Sequence, residues 1–274
     1  MFDSIAGDYD SLNHILSLDV DKIWRKKALK QIVDAPAPAR VLDLACGTGD
    51  FSIAIAKALS RSHKRVVTPI ETHVKASVKA PVEAPAKAPV EAQVTSTGFV
   101  TGDSGRSDLM NKGHVTGVDL SEGMLAVMRE KVAKAGLTEM ISIEEGDGED
   151  LRFPDNTFDR VTIAFGIRNF EDRPKGLREM LRVLKPGGRL VILELSRPEN
   201  KVIRWFYDLY FLHILPKVGG KVSGDKAAYA YLPASVAAFP GKKAFMATMR
   251  EAGFRAVTHK AFTLGICRMY TGEK

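Results

Sequence analysis

The sequence predicts an α/β fold: a doubly wound, mainly parallel sheet closed by a C-terminal antiparallel hairpin. Three observations predict it. The stretch Val41-Leu42-Asp43-Leu44-Ala45-Cys46-Gly47-Thr48-Gly49-Asp50-Phe51 reads as a buried strand, a glycine turn and the start of a helix. Short apolar runs then alternate with segments of helical period as far as Leu195, the pattern of β-α-β crossovers. The chain ends in two strand-like runs, Ala256–His259 and Ala261–Tyr270, with Gly265 loosening the second. Its 274 residues suffice for one such domain, and residues 1–274 are read as one.

Each element follows from local pattern. Apolar residues at Leu12, Ile15 and Leu16, then at Ile23, Trp24, Leu29 and Ile32, predict two short helices ahead of the sheet. They either cover it or let Tyr9, Asp10 and Asn13 reach over a cleft. Ala35-Pro36-Ala37-Pro38 is a linker, and Val41–Leu44 the first strand. Gly47 and Gly49 shape a turn that a ligand can approach closely, and Asp50 is placed to cap a helix over Phe51–Leu59.

Residues 64–113 depart from this pattern. Val78-Lys79-Ala80-Pro81, Val82-Glu83-Ala84-Pro85 and Ala86-Lys87-Ala88-Pro89 repeat every four residues. Prolines so spaced block helix and sheet, so a disordered low-complexity insertion is expected. It joins a helix to the next strand, away from the ligand edge, and lengthening such a loop costs only ~2 kcal/mol of closure entropy.

The alternation resumes with a strand at Val115–Asp119. Ser121 caps the next helix, whose period is kept by Met124, Leu125, Met128 and Val132. Strands are expected at Ile141–Glu145, Phe158–Phe165 and Arg189–Leu195. Helices are expected at Pro174–Leu184, ended by Lys185-Pro186-Gly187-Gly188, and at Lys242–Ala252. The segment 202–215 is dense in aromatic residues and too short to span a bilayer.

Composition narrows the function classes. The net charge of +7 arises from dispersed Lys and Arg with no dense tract, which favours an anionic surface over nucleic acid. Cys46 and Cys267 fit neither a metal site nor a disulfide framework. Met1-Phe2-Asp3-Ser4 does not open a signal peptide, and no run of about 18 apolar residues occurs. A cytoplasmic, metal-free protein is expected.

The glycine turn alone allows a dinucleotide as well as S-adenosylmethionine, since Ser52 supplies the small residue a dinucleotide fingerprint needs. Asp119, ending the second strand, can accept from ribose hydroxyls of either ligand. Gly146-Asp147-Gly148 discriminates better: Asp147 can accept an adenine amino group while Gly148 leaves room for the ring. These turns together favour S-adenosylmethionine.

Several motifs carry a resemblance: Phe2-Asp3…Tyr9-Asp10…Asn13, Val41–Phe51, Gly117-Val118-Asp119-Leu120-Ser121, Phe165-Gly166-Ile167-Arg168-Asn169, Arg182–Gly188 and Tyr231-Leu232-Pro233. In these the chain resembles the ubiquinone/menaquinone-biosynthesis C-methyltransferases everywhere except roughly 64–113. The resemblance implies a class I, Rossmann-like methyltransferase fold. It implies donor contacts at Thr48, Asp119, Asp147 and Gly148, in a turn shaped by Gly47 and Gly49. A further contact at the end of the fourth strand is usually a serine, and this chain has Ala164 there. Cys46 stands where many relatives have glycine.

The implied reaction moves a methyl group from sulfonium to a ring carbon of a prenylated hydroquinone, demethylmenaquinol becoming menaquinol. A ubiquinone-precursor benzoquinol, another small-molecule acceptor, or a non-catalytic accessory role are the alternatives. Arg168 can stabilise a developing phenolate and, with Asn169, orient a proton-accepting water; Tyr9 is a lid contact. The aromatic segment then suits a prenyl groove and transient contact with the inner face of the membrane, or else a core or homodimer face.

Overall fold

A computed structural model describes residues 19–36, 38–67, 113–210 and 226–274. Helix α1, Val20–Ile32, precedes strand β1, Arg40–Leu44, and α2, Asp50–Val67. Then come β2, His114–Asp119; α3, Glu122–Lys134; β3, Ile141–Glu145; and β4, Phe158–Ala164. A 3-10 turn at Ile167–Asn169 leads to α4, Arg173–Val183, and β5, Leu184–Leu195. The chain continues through α5, Lys201–Leu209; α6, Lys226–Ala238; α7, Lys242–Glu251; β6, Arg255–Phe262; and β7, Cys267–Glu273.

The seven strands form one sheet in the order β3-β2-β1-β4-β5-β7-β6. β1 to β5 pair in parallel, and β7 runs antiparallel between β5 and β6. Both faces are covered, because β1 alternates between two core layers. Val41 packs with Phe51, Ile55, Leu125 and Met128 on one face. Leu42 and Leu44 pack with Leu177, Met180 and Phe245 on the other. A strand buried on both faces needs a near-continuous apolar run, which is what the sequence has there. Asp43 interrupts that run and is 1% exposed.

Several expectations are sharpened. Asp50 lies in the first turn of α2, whose first intrahelical bond runs from Ile53 N–H to Gly49 C=O at 2.9 Å. Its carboxylate is bonded to Lys131 Nζ. Ser121 does cap α3, accepting from Met124 N–H at 3.3 Å. β5 begins at Leu184, five residues before the expected start, because fully buried Leu184 already pairs with Phe158 and the following glycines form a bulge. The closing hairpin is as expected in kind, but Gly265 is in its connection. Thr263, Leu264 and Gly265 all take positive φ there and leave the ladder. The expected helix ahead of α1, most of 64–113 and residues 211–215 lie outside the described residues.

Candidate active site

The strand order reverses between β1 and β4, whose following loops therefore diverge and open a crevice at the carboxyl edge. The two loops approach closely at its base: a Cβ on Gly166 would lie 2.4 Å from Ala45 Cβ. Ala45 and Phe165, the first residues beyond the two strands, both hold positive φ, 49° and 64°. Such conformations cost non-glycine residues of order 1–3 kcal/mol and concentrate at functional sites. A solvent-open cleft lies here, lined by Arg25, Asp43, Ala45–Thr48, Asp50, Phe51, Ala164 and Phe165.

The predicted donor residues form a continuous edge beside this cleft. Asp119 Oδ2 accepts from Gly47 N–H at 2.8 Å and Oδ1 from Ser121 N–H at 3.0 Å. Its carbonyl accepts from Gly146 N–H at 3.1 Å, and Cys46 N–H donates to Val118 C=O at 3.1 Å. The turns after β1, β2 and β3 are thus tied into one rim. Thr48 is buried in the cleft wall, its hydroxyl accepting from Lys131 Nζ at 3.3 Å. Asp147 is exposed on the outer part of the rim and accepts from Glu149 N–H at 2.8 Å.

Two glycines serve packing as well as access. A Cβ on Gly49, at φ 83°, would lie 2.4 Å from Met128 Cγ, so α3 fills that space. A Cβ on Gly148 would lie 2.5 Å from Phe170 Cζ. Phe170 thus packs against the side of Gly148 where a Cβ would stand. Cys46 fits where a glycine would, its Sγ 3.5 Å from Met128 Sδ, and burial pushes its thiol well above the ordinary value.

On the acceptor side, Arg168 and Asn169 are held in the 3-10 turn beyond β4. The Arg168 guanidinium is 6% exposed and its Nη1 donates to Glu194 Oε1 at 2.8 Å and to the Phe165 carbonyl. Nε donates to Ser235 Oγ at 3.3 Å. Glu194 is fully buried and also accepts from the amides of Arg168, at 3.1 Å, and Leu195, at 2.8 Å. Asn169 Oδ1 accepts from Tyr231 Oη at 2.8 Å, so α6 is pinned to this turn by two side chains. Tyr9 lies outside the described residues.

Three polar residues of the site escaped the sequence reading: Arg25, Asp43 and Glu194. Asp43 Oδ2 accepts from Ser52 Oγ at 2.6 Å. Burial pushes its carboxyl up to about 7, against the opposing pull of Ser52 and Arg25. The signal available was a lone acid inside a strand buried on both faces, which applies to Glu194 as well. Arg25 had no such mark, lying in a basic run on a surface helix.

The residues present suit an adenosyl amino acid. A carboxylate faces the turn where ribose hydroxyls would be held, and Arg25 brings a cation whose buried Nε has no hydrogen-bond partner. Among the described residues no group of His, Cys, Asp or Glu is arranged to hold a metal ion.

Comparison with known proteins agrees with this geometry. The model of the ubiE/COQ5 methyltransferase family matches residues 1–110 and 94–274. The chain is 42% identical over all 274 residues to the ubiquinone/menaquinone biosynthesis C-methyltransferase UbiE of Geobacter sulfurreducens, covering 87% of it. It is 38% identical to the demethylmenaquinone methyltransferase of Bacteroides fragilis and 40% to that of Deinococcus radiodurans, over its full length and 91% of each. Among solved structures, a SAM-dependent methyltransferase from Aquifex aeolicus is similar at TM-score 0.52 and 18% identity, over 90% of this chain and 88% of that one. The cyclase SpnF is similar at TM-score 0.58 and 17% identity, over 93% and 81%. Likeness at these identities shows the shared fold alone.

Proposed function

The chain belongs to the ubiE/COQ5 methyltransferase family, and from that premise we propose that it methylates a ring carbon of a prenylated hydroquinone, converting demethylmenaquinol to menaquinol with S-adenosylmethionine as methyl donor. The observation that carries this reading is the junction of two differently equipped loops at one cleft, which the β1 turn lines directly and the β4 loop through Ala164 and Phe165. The turn after β1, bridged to Asp119, has the acceptors and amides a nucleoside requires. The turn after β4, with Arg168 and Asn169, has the charge and amide a phenol requires.

The donor supplies a methyl group already activated on sulfonium. The protein's own residues then have three tasks. Asp119, with Gly47, Thr48 and Gly49 of the turn, fixes the nucleoside, while Asp147 and Gly148 border its base. Phe165, Ala164 and Phe51 exclude water from the cleft. Arg168 anchors the acceptor turn and favours negative charge on a ring oxygen, and Asn169 orients the hydroxyl or a water that takes its proton. Alignment of the two reactants supplies most of the acceleration, because little covalent work is left to the protein.

The acceptor's tail suits the outer face of α5. Val202, Trp205 and Phe206 are 65%, 61% and 60% exposed there, at i, i+3 and i+4, beside Lys201 and Arg204. An aromatic face with basic flanks fits shallow, transient contact with an anionic membrane at its cytoplasmic side. Among the described residues no helix is long and apolar enough to cross a membrane. A homodimer through α5 is the competing use of this face, and a benzoquinol is the competing acceptor, favoured by the Geobacter relative's name for both quinones.

The test is direct. The full chain with S-adenosylmethionine and a prenylated demethyl-naphthohydroquinone yields the ring-methylated product by mass spectrometry, and yields it faster than from the corresponding benzoquinol. No methylated naphthoquinol under reducing conditions overturns the proposal. Sedimentation with anionic against neutral vesicles reads the membrane contact, which a Trp205→Ala, Phe206→Ala variant loses.

A further inference from the structure

Helix α1 reads in the sequence as an amphipathic cover, yet it sends Arg25 into the cleft. The adjacent residue explains why. Trp24 is 4% exposed, its Nε1 donates to Thr263 Oγ1 at 2.9 Å, and its ring packs against Phe165 with centroids 6.2 Å apart. With Trp24 locked, the next side chain is turned toward the β1 loop. The Arg25 guanidinium lies 5.6 Å from the centre of the Phe165 ring and shares the cleft wall with Cys46, Gly47 and Thr48.

Its resting partners leave capacity unused. Nε lies 3.5 Å from Asp21 Oδ2, an ion-pair contact one helical turn away, but this buried nitrogen has no hydrogen-bond partner. The other acid of the cleft floor, Asp43, already accepts from Ser52 Oγ at 2.6 Å, and burial favours its neutral form. Asp50, also in the lining, is bonded to Lys131. A guanidinium offers five donors in a rigid fork that matches a carboxylate in two parallel bonds. Of the two reactants, the quinol carries no carboxylate; the methyl donor carries one, on its amino-acid end.

We infer that Arg25 binds the α-carboxylate of the methyl donor, making α1 part of the donor site. The inference rests on the donor reading above and adds to it the residue that recognises the amino-acid end. It also gives α1 a use in selectivity: a nucleoside without the carboxylate gains nothing from the cleft's cation.

Calorimetric titration of the full chain separates the possibilities, using S-adenosylmethionine and decarboxylated S-adenosylmethionine, which differ by that one group. Wild-type protein should bind the carboxylate form roughly 10- to 100-fold more tightly, the size expected of a charge-assisted pair. Arg25→Ala should erase the preference by weakening the carboxylate form alone, and Arg25→Lys should restore part of it; melting curves confirm that each variant is folded. Equal affinity of wild type for both ligands overturns the inference while leaving the donor site standing. So does an Arg25→Ala variant that weakens both ligands alike. Failure of wild type to bind either overturns the donor reading and the inference together.

Discussion

Arg168 and Glu194 form a buried charge pair whose removal can be worked out from its contacts. Glu194 takes the Arg168 guanidinium at 2.8 Å and the amides of Arg168 and Leu195, with both side chains at most 6% exposed. Glu194→Gln leaves the guanidinium without its counter-charge in a place water does not reach. Loss of one partner of such a pair costs about 3–5 kcal/mol. At roughly 2–4 °C per kcal/mol for a domain of this size, the melting temperature should fall by on the order of 10 °C. Arg168→Met should cost a similar amount, since it strands the carboxylate. The double variant has no buried charge to strand, and its remaining cost is one amide left facing the Gln NH2, about 1–3 kcal/mol. It should therefore be no less stable than either single variant, a coupling of several kcal/mol. Denaturant unfolding of the four proteins measures this cycle. Additive losses, or a loss below 1 kcal/mol for Glu194→Gln, would refute the argument. The same double variant isolates chemistry from stability: folded but without the Arg168 charge, it should retain donor binding and lose roughly 100-fold in turnover. Undiminished turnover would remove Arg168 from the acceptor machinery.

Three further outcomes are expected. The folded-state value of Asp43 is about 7 against an ordinary 3.8, so the folded protein binds the proton more tightly and stability falls as pH rises from about 4 to 7. The difference of about 3 units is worth about 4 kcal/mol, and Asp43→Asn should gain on wild type by that order across this window in pH-dependent unfolding; a constant difference contradicts it. Gly49→Ala must hold φ 83° with a Cβ 2.4 Å from Met128 Cγ, which should cost roughly 2–4 kcal/mol by the same measurement, and Met128→Ala should recover part of it. Asp119→Ala frees the Gly47 and Ser121 amides and removes the ribose acceptor, so calorimetry should show S-adenosylmethionine affinity down by more than about tenfold; unchanged affinity would move the donor site elsewhere.

The fold was legible because its central strands are buried on both faces and its helices on one, and these demands write different periods into the chain. Val41 and Leu42 serve opposite core layers, so the run had to be apolar throughout, while Leu125, Met128 and Val132 serve one layer and recur at helical spacing. Ser121 announced its helix through a cap that needs a hydroxyl. The turns that frame the candidate site were legible, because Gly47, Asp119 and Arg168-Asn169 stand at or just beyond the ends of β1, β2 and β4. What the glycines pack against was not legible: Phe170 and Met128, distant in sequence, lie where a Cβ on Gly148 and on Gly49 would stand. The place of Arg25 in the cleft was illegible because it depends on Trp24 being held by Thr263, 239 positions away.

The two acids inside the strands explain how one sheet edge can handle two reactants of different chemistry. Side chains alternate across a strand, so Asp43 shares the face of Val41, under α1, α2 and α3. Glu194 shares the face of Ile192, and its ladder partner Arg268 the face of Tyr270, both in the opposite layer. Each acid has an arginine within its field, Arg25 for Asp43 and Arg168 for Glu194. The two arginines then converge on one residue: Arg25 lies over the Phe165 ring, and Arg168 donates to the Phe165 carbonyl. Phe165 holds φ 64° at the head of the loop that faces Ala45. α1 therefore bears on the ring, and Arg168, held to α6 through Ser235, on the backbone, of the same strained residue. On the proposed assignment, donor and acceptor are served from opposite faces of the sheet and meet at Phe165, so occupancy of one should alter the geometry offered to the other.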